Sequence, residues 1–181
     1  LRDLNELWGE PIFADGIILS EPLGTISTDS RTFEKGSFYI PLVGENFDGH
    51  DFLAEITYKG AQAAIVSENY SGSVPRSLTH WVVLDTLYAY QQIALLHRNN
   101  LNLPVVAITG SVGKTTTREL IRAILSPIGK IVSTRENENN DIGVPKTLLR
   151  GSERDAAIVL EMGMRGFGQL ERLSRVAEPD I

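Results

Sequence analysis

The stretch AITGSVGKTTTRE, residues 107–119, places an apolar run before two glycines, a lysine and three threonines. The residues PVV at 104–106 lengthen the apolar run, so the pattern predicts a buried strand, a glycine loop and a helix. Unpaired backbone N–H groups and the helix dipole both favour negative charge at such a helix start. The stretch therefore predicts an anion site inside an α/β fold.

The residue types of this loop suit a nucleoside triphosphate. Gly110 and Gly113 let the backbone wrap around a phosphate, Lys114 can bridge the terminal phosphates, and the Thr115 hydroxyl can ligate Mg²⁺. The common form of the motif has four residues between the glycines, whereas this loop has two. A glycine turn with a solvated lysine is the alternative interpretation.

Composition excludes several kinds of partner and site. The 181 residues carry a formal net charge of −6 and no run of Lys or Arg, so nucleic acid is not an expected partner. The absence of cysteine excludes disulfides and thiolate chemistry and fits a reducing cytoplasm. No apolar stretch approaches the roughly 20 residues that cross a bilayer, so membrane insertion is not expected.

Strand and helix patterns alternate along the chain, which predicts α/β architecture with parallel sheets. A domain boundary is expected near Asn100, in a segment of linker composition. We also expect a fragment of a longer protein, since the chain starts without Met and stops in EPDI. The predicted helices cover residues 1–8, 50–60, 85–99, 115–125, a short segment after an Asn-rich loop, and 167–176. Predicted strands cover 61–67, 81–85, 104–109, 130–134 and 156–163, with further short β segments in 24–31 and 36–44.

The shortened glycine loop with its threonine run resembles the T-G-x-x-G-K-[ST] signature of the Mur ligases and their folylpolyglutamate synthase relatives. Three further segments are similar in order and spacing to the Mur ligases that add D-alanyl-D-alanine to UDP-MurNAc-tripeptide. These segments are ISTDSRTFEKGSFYIPLVGENFDGHDF, NENNDIGVPKTLL and IVLEMGMRGFGQLERLSRVAEPDI. The resemblance implies a small N-terminal α/β substrate-binding domain, residues 1–100, and the first part of a P-loop-type parallel-sheet ATPase domain, residues 101–181.

The same resemblance implies an ATP- and Mg²⁺-dependent ligase. ATP would phosphorylate the free carboxylate of UDP-MurNAc-tripeptide, and the amine of D-Ala-D-Ala would attack the acyl phosphate. The implied ATP contacts are Gly110, Ser111, Val112, Gly113, Lys114, Thr115 and Thr116. Another Mur ligase or relative, and a non-catalytic module that binds a nucleotide or a UDP-sugar, remain as alternatives. General bases are not visible in the sequence.

Glu161 ends the apolar strand AAIVLEMG, at the sheet edge where open α/β sheets collect ligands. A carboxylate there can hold Mg²⁺, and in the resembling family the glutamate of the E-x-G segment does so. Lys114 and Glu161 are thus the expected catalytic residues, and Thr115 and Glu161 the expected metal ligands. The alternative for Glu161 is a solvated residue at the start of a loop.

Three segments contain the expected substrate contacts. In the resembling family the first domain holds the UDP end of the substrate, which points to Ser30 and Arg31 in TDSR. Without the resemblance, an ordinary turn with a surface ion pair explains the four residues TDSR better. The other candidates are Asn46, Asp48 and His50 in GENFDGHDF and Asn139 and Asn140 in NENNDIGVP. His50 could instead have no ligand, and the asparagines could form a turn and a helix cap. Met162, Met164 and Phe167 are expected to be packing residues.

Overall fold

The computed structural model describes residues 1–12, 19–164 and 166–181. These residues form two compact units, Leu1–Ala89 and Tyr90–Ile181. Parallel sheets with helices confirm the predicted α/β class. The expected boundary near Asn100 lies at the end of the helix Thr86–Asn100. The two units divide in the first turn of that helix, between Ala89 and Tyr90. The assignment of a substrate domain and an ATPase domain stays a prediction.

The first unit is built on four parallel strands in the order β1-β2-β5-β6, beside a separate antiparallel hairpin of β3 and β4. The strands are β1 Ile26–Ser27, β2 Phe38–Tyr39, β3 Val43–Gly44, β4 Phe47–Asp48, β5 Ala63–Ser67 and β6 His80–Val83. The helices are α1 Arg2–Trp8, α2 Leu53–Tyr58 and α3 Thr86–Asn100, the last of which continues into the second unit.

Trp81 on β6 is fully buried and ties α1 to the sheet. Its indole Nε1 donates to Asn5 Oδ1 at 3.2 Å and to the Gly9 carbonyl at 3.0 Å. A buried indole N–H needs such a partner. On the sheet, Tyr39, Leu53 and Ile56 belong to one buried apolar cluster. At the N-terminal end, Leu1 and Leu4 are buried and α1 contacts β6.

The second unit contains three parallel strands in the order β7-β9-β8. Its strands are β7 Val105–Ile108, β8 Ile131–Ser133 and β9 Ala157–Glu161, and its further helices are α4 Lys114–Leu125, α5 Gly143–Leu149 and α6 Gln169–Ala177. The core includes Val105, Leu148 and Ile158, all fully buried. In the described part of the chain no helix combines the length and the hydropathy of a membrane span.

Asp180 fastens the end of the described chain to the start of the second unit. Its Oδ2 accepts from the Val105 backbone N–H at 2.7 Å and from Arg98 Nη2 at 3.0 Å. The Ala107 N–H then donates to the Ile181 carbonyl at 2.9 Å, so the last residues run along the outer edge of β7. These contacts involve both backbone and side-chain groups.

Candidate functional site

The glycine loop between β7 and α4 has the backbone conformation that its glycines predict. Gly110 has φ +144° and Gly113 has φ +81°, in the region that favours glycine. Among the described residues, no atom other than those of its chain neighbours lies within 4 Å of the position that a Gly113 Cβ would take, so conformation rather than crowding requires this glycine. Gly113 is the N-cap of α4. The first-turn N–H groups of α4, which lack carbonyl partners within the helix, therefore lie beside an exposed loop.

Lys114 curls back over this loop. Its Nζ donates to the Gly110 carbonyl, four positions earlier in the chain, at 2.7 Å. The ammonium group therefore lies above the loop backbone, where it can meet a phosphate that the loop N–H groups bind. This position supports the anion-binding interpretation over a lysine that points into solvent.

Glu161 lies at the carboxyl end of the central strand β9. It pairs in register with Ile108 of β7, the last strand residue before the glycine loop. On the other side, its backbone N–H donates to the Thr134 hydroxyl at 2.8 Å, directly after β8. Parallel strands thus bring the loop, Glu161 and the residues after β8 to one edge of the sheet.

The Glu161 carboxylate is buried, with a side-chain exposure of 5%. Oε2 accepts from the Thr115 hydroxyl at 3.0 Å and from Arg118 Nη1 at 3.3 Å. Oε1 accepts from Asn139 Nδ2 at 3.1 Å. The solvated alternative for Glu161 is therefore wrong, and the two expected metal ligands, Thr115 and Glu161, are in direct contact.

The donor set at this position suits Mg²⁺ chemically. A carboxylate and a hydroxyl are hard oxygen ligands, and Mg²⁺ commonly uses one or two carboxylates together with substrate phosphates and water. Within residues 1–12, 19–164 and 166–181, no group of three or more His, Cys, Asp or Glu side chains is placed to hold a metal. Thr115 and Glu161 alone would leave most coordination positions of a Mg²⁺ ion to other ligands.

The two predicted residues of the Asn-rich loop, Asn139 and Asn140, make different contacts. The side-chain amide of Asn139 donates to Glu161. The backbone carbonyl of Asn139 accepts from the Gly163 N–H at 2.7 Å. Asn140 Oδ1 accepts from the N–H groups of Ile142 and Gly143 at the start of α5, at 3.1 and 2.9 Å. The structure thus gives Asn140 the capping role that the sequence left open. Substrate contacts of either asparagine stay predictions.

The loop after β9 differs from expectation. Met162 is 2% exposed, so its predicted packing role is confirmed. Met164 and Phe167 are 66% and 105% exposed, so the same prediction is wrong for them. Both lie in a glycine-rich segment after the strand has ended, where the chain no longer faces the core. The pattern of apolar letters does not distinguish these two situations.

In the first unit, the predicted substrate residues follow the carboxyl ends of neighbouring strands β1 and β2. Ser30 is buried, and its carbonyl accepts from Lys59 Nζ at 2.7 Å. The Arg31 side chain is 86% exposed and forms a two-pronged ion pair with Asp29. An exposed pair of this kind is weak, so the guanidinium is available to exchange its partner for a phosphate.

The hairpin of β3 and β4 presents Asn46 to solvent at its turn and leaves Asp48 half-buried. His50 is buried, with Nδ1 hydrogen-bonded to Asp48 Oδ1 and Nε2 accepting the Ser67 N–H at 2.9 Å. This pairing requires the proton on Nδ1. Both ring nitrogens are used inside the fold, so the prediction that His50 contacts a ligand has no support in this geometry.

Two residues that contact Glu161 were not anticipated from the sequence. Arg118 lies three positions after Thr115 on α4, a spacing that puts both side chains on one helix face. Thr134 follows the β8 strand directly, at the same sheet edge as the loop. The spacing of Thr115 and Arg118 can be read from the sequence TTTRE. It does not identify Glu161 as their shared partner until the fold places β9 beside α4.

Comparison with known proteins points to the family that the sequence motifs resemble. Residues 108–181 match the family model of the Mur ligase middle domain. A UDP-N-acetylmuramoyl-tripeptide D-alanyl-D-alanine ligase of Synechocystis sp. is 43% identical over 88% of this chain, and its Bacillus subtilis counterpart is 40% identical over 86%. The chain belongs to the Mur ligase family. This Mur ligase chain spans 35% and 34% of the lengths of those two curated relatives.

Solved Mur ligases have the same fold. A UDP-N-acetylmuramoylalanyl-D-glutamyl-2,6-diaminopimelate D-alanyl-D-alanyl ligase from Acinetobacter baumannii superposes with a TM-score of 0.79 at 37% identity, over 88% of this chain and 35% of that one. A MurF ligase from Thermotoga maritima in complex with ADP gives 0.77 at 28% identity, over 92% and 37%. The likeness includes both units, since each comparison covers most of the Mur ligase chain described here.

Proposed function

We propose that this chain is the N-terminal part of an ATP- and Mg²⁺-dependent ligase that joins D-Ala-D-Ala to UDP-MurNAc-tripeptide in the cytoplasm, in peptidoglycan precursor synthesis. One observation supports this most strongly: the glycine loop, Thr115 and Glu161 lie together at one edge of the second-unit sheet. The curated relatives named for this activity and the ADP complex of a solved relative add support.

The residues present would act mainly on the phosphates. Loop N–H groups from Gly110 to Thr116 and the Lys114 ammonium would bind the β- and γ-phosphates and oppose the negative charge that moves during phosphoryl transfer. Thr115 and Glu161 would hold Mg²⁺, which supplies further positive charge beside those phosphates. The substrate carboxylate would accept the phosphoryl group, and ADP would leave. The D-Ala-D-Ala amine would then attack the acyl carbon, displace phosphate and lose a proton.

The first unit would hold the UDP end of UDP-MurNAc-tripeptide. Arg31 and Asn46 are the exposed candidates, and they follow two neighbouring strands of one parallel sheet. Calorimetry with UDP-MurNAc-tripeptide tests this in Arg31→Ala, with the exposed Arg76→Ala as the matched control. Weaker binding is expected in Arg31→Ala alone. Equal affinities in the two variants would contradict the assignment.

The central test replaces Lys114 by Ala in the protein expressed from its complete gene. We expect release of ADP that depends on both substrates to fall at least a hundredfold, because a donor to the transferring phosphoryl group is lost. Lys35→Ala removes an exposed lysine of the first unit and should leave the rate unchanged. An unmodified rate in Lys114→Ala would refute the proposed role of the loop.

Two alternatives lead to different outcomes. A related ligase would release ADP with another amine substrate in place of D-Ala-D-Ala. A non-catalytic module would bind ATP without any substrate-dependent release of ADP. Lys114, Thr115 and Glu161 occur together in a geometry suited to phosphoryl transfer, which favours an enzyme over such a module.

A further inference from the structure

We propose that Arg118 is a positioning residue for the cation-binding carboxylate of Glu161. The inference rests on the proposed function, and it concerns a side chain to which the Mur ligase signature assigns no role. Arg118 Nη1 donates to Glu161 Oε2 at 3.3 Å, and the two side chains are 8% and 5% exposed. This ion pair is thus shielded from water on both sides.

The hydrogen bonds to the Glu161 carboxylate are of two kinds: those that orient it and one that a cation would replace. Arg118 holds Oε2 and Asn139 holds Oε1, so the two donors fix the plane of the carboxylate. The remaining donor, the Thr115 hydroxyl, also contacts Oε2. A carboxylate oxygen has two lone pairs. A cation ligated by both Thr115 and Glu161 would use the lone pair of Oε2 that faces Thr115.

Arg118 is itself held in place from outside. Its Nε and Nη2 both donate to Glu119 Oε1, at 3.1 and 2.9 Å. Glu119 Oε2 in turn accepts from Arg122 Nε and Nη2, at 2.9 and 2.7 Å. The planar guanidinium of Arg118 therefore joins two carboxylates in a fixed geometry, which the single ammonium of a lysine does not reproduce.

The arrangement has the form of an outer support for a metal ligand. Ligating carboxylates are commonly oriented by hydrogen bonds from a second layer of residues, and loss of such a partner lowers metal affinity about 10- to 100-fold. A purely structural ion pair would instead affect folding stability and leave the cation dependence of nucleotide binding unchanged. The two roles therefore differ in a measurable quantity.

The test measures the affinity of the complete protein for a non-hydrolysable ATP analogue, with Mg²⁺ and with EDTA. In Arg118→Met we expect the gain in affinity from Mg²⁺ to fall about tenfold, while the affinity in EDTA stays within twofold because the glycine loop is intact. Arg118→Lys should fall between this variant and the wild type. Arg175→Met, which removes a helix arginine whose ion pair with Glu171 is exposed, is the control and should keep the full gain.

If Arg118→Met does not fold, Glu119→Gln and Arg118→Lys decide the question, since Glu119 is half exposed. A full Mg²⁺ gain in both would overturn the proposal, as would an equal loss of affinity in EDTA and in Mg²⁺. Crystal structures of nucleotide-free wild-type protein and Arg118→Lys separate this proposal from the proposed function. We expect the Glu161 carboxylate to turn away from Thr115 in the variant. An unmoved carboxylate would overturn the positioning role, even if the protein binds ATP.

A wild-type protein that binds the analogue no better with Mg²⁺ than with EDTA would refute the cation role within the proposed function. The effect of Arg118 on cation binding would be refuted with it. The crystal structures would still decide whether Arg118 orients Glu161. Failure of the two proposals is therefore recognised by different measurements.

Discussion

Replacement of His50 by Ala should destabilise the first unit strongly. The substitution leaves the Ser67 N–H without its acceptor, which costs about 1–3 kcal/mol. It also removes the stacking of the imidazole on Tyr70, whose ring centroid lies 4.8 Å away, and such contacts contribute about 0.5–1.5 kcal/mol. The midpoints give a loss of about 3 kcal/mol in the free energy of unfolding, to which the cavity left by a buried ring adds.

Urea unfolding followed by tryptophan fluorescence measures this loss in the right part of the molecule. The chain has two tryptophans, Trp8 and Trp81, and both lie in the first unit. Tyr70→Phe is the matched control, because it keeps the aromatic ring and should change stability by less than about 0.5 kcal/mol. A loss below about 1 kcal/mol in His50→Ala would refute the structural role of His50. Weaker substrate binding at unchanged stability would show that His50 contacts a ligand instead.

Two further predictions concern the second unit, and a third concerns the chain as a whole. Gly163→Ala should reduce the Mg²⁺ gain in nucleotide affinity about tenfold, because a Cβ would lie 3.0 Å from Asn139 Oδ1 and displace the amide from Glu161. Unchanged Mg²⁺ dependence would contradict this. Burial alone would raise the pKa of Glu138, but hydrogen bonds from Lys146 and Arg150 outweigh it and hold this pKa below its usual value. The stability from this cluster is therefore present above the ordinary carboxyl range and lost as the pH falls below about 4, so Glu138→Gln should flatten the acid limb of a thermal-unfolding profile; an equally steep limb would refute the assignment. The 181 residues alone should release no ADP on addition of both substrates; release that disappears in the Lys114→Ala version would show that they suffice.

The parts of the fold that depend on local pattern could be predicted from the sequence. The strand, loop and helix around Lys114 follow from an apolar run, two glycines that need positive φ, and a helix start. The position of Glu161 at the carboxyl end of β9 follows from the length of the apolar run in that strand. In each case the signal lies within a few residues of the feature.

The partners of these residues could not be predicted, because they come from distant segments. Arg118 and Glu161 are 43 positions apart, and only the strand order brings them together. The same limit applies to His50, whose acceptor role depends on a strand 17 residues later. Exposure of Phe167 was missed for a different reason. The predicted helix begins at residue 167, whereas α6 begins at Gln169, so Phe167 lies before the helix and not on its buried face.

The contacts of Asp180 affect the order in which the second unit folds. They join residues that are 75 and 82 positions apart, nearly the length of the unit. Closure of a loop that long costs configurational entropy before the contact repays it, so Val105 and Asp180 should meet late, after α4 and α6 have formed. The Val105 amide should then exchange its hydrogen through local opening of the Asp180 contact, before the buried core of the unit opens.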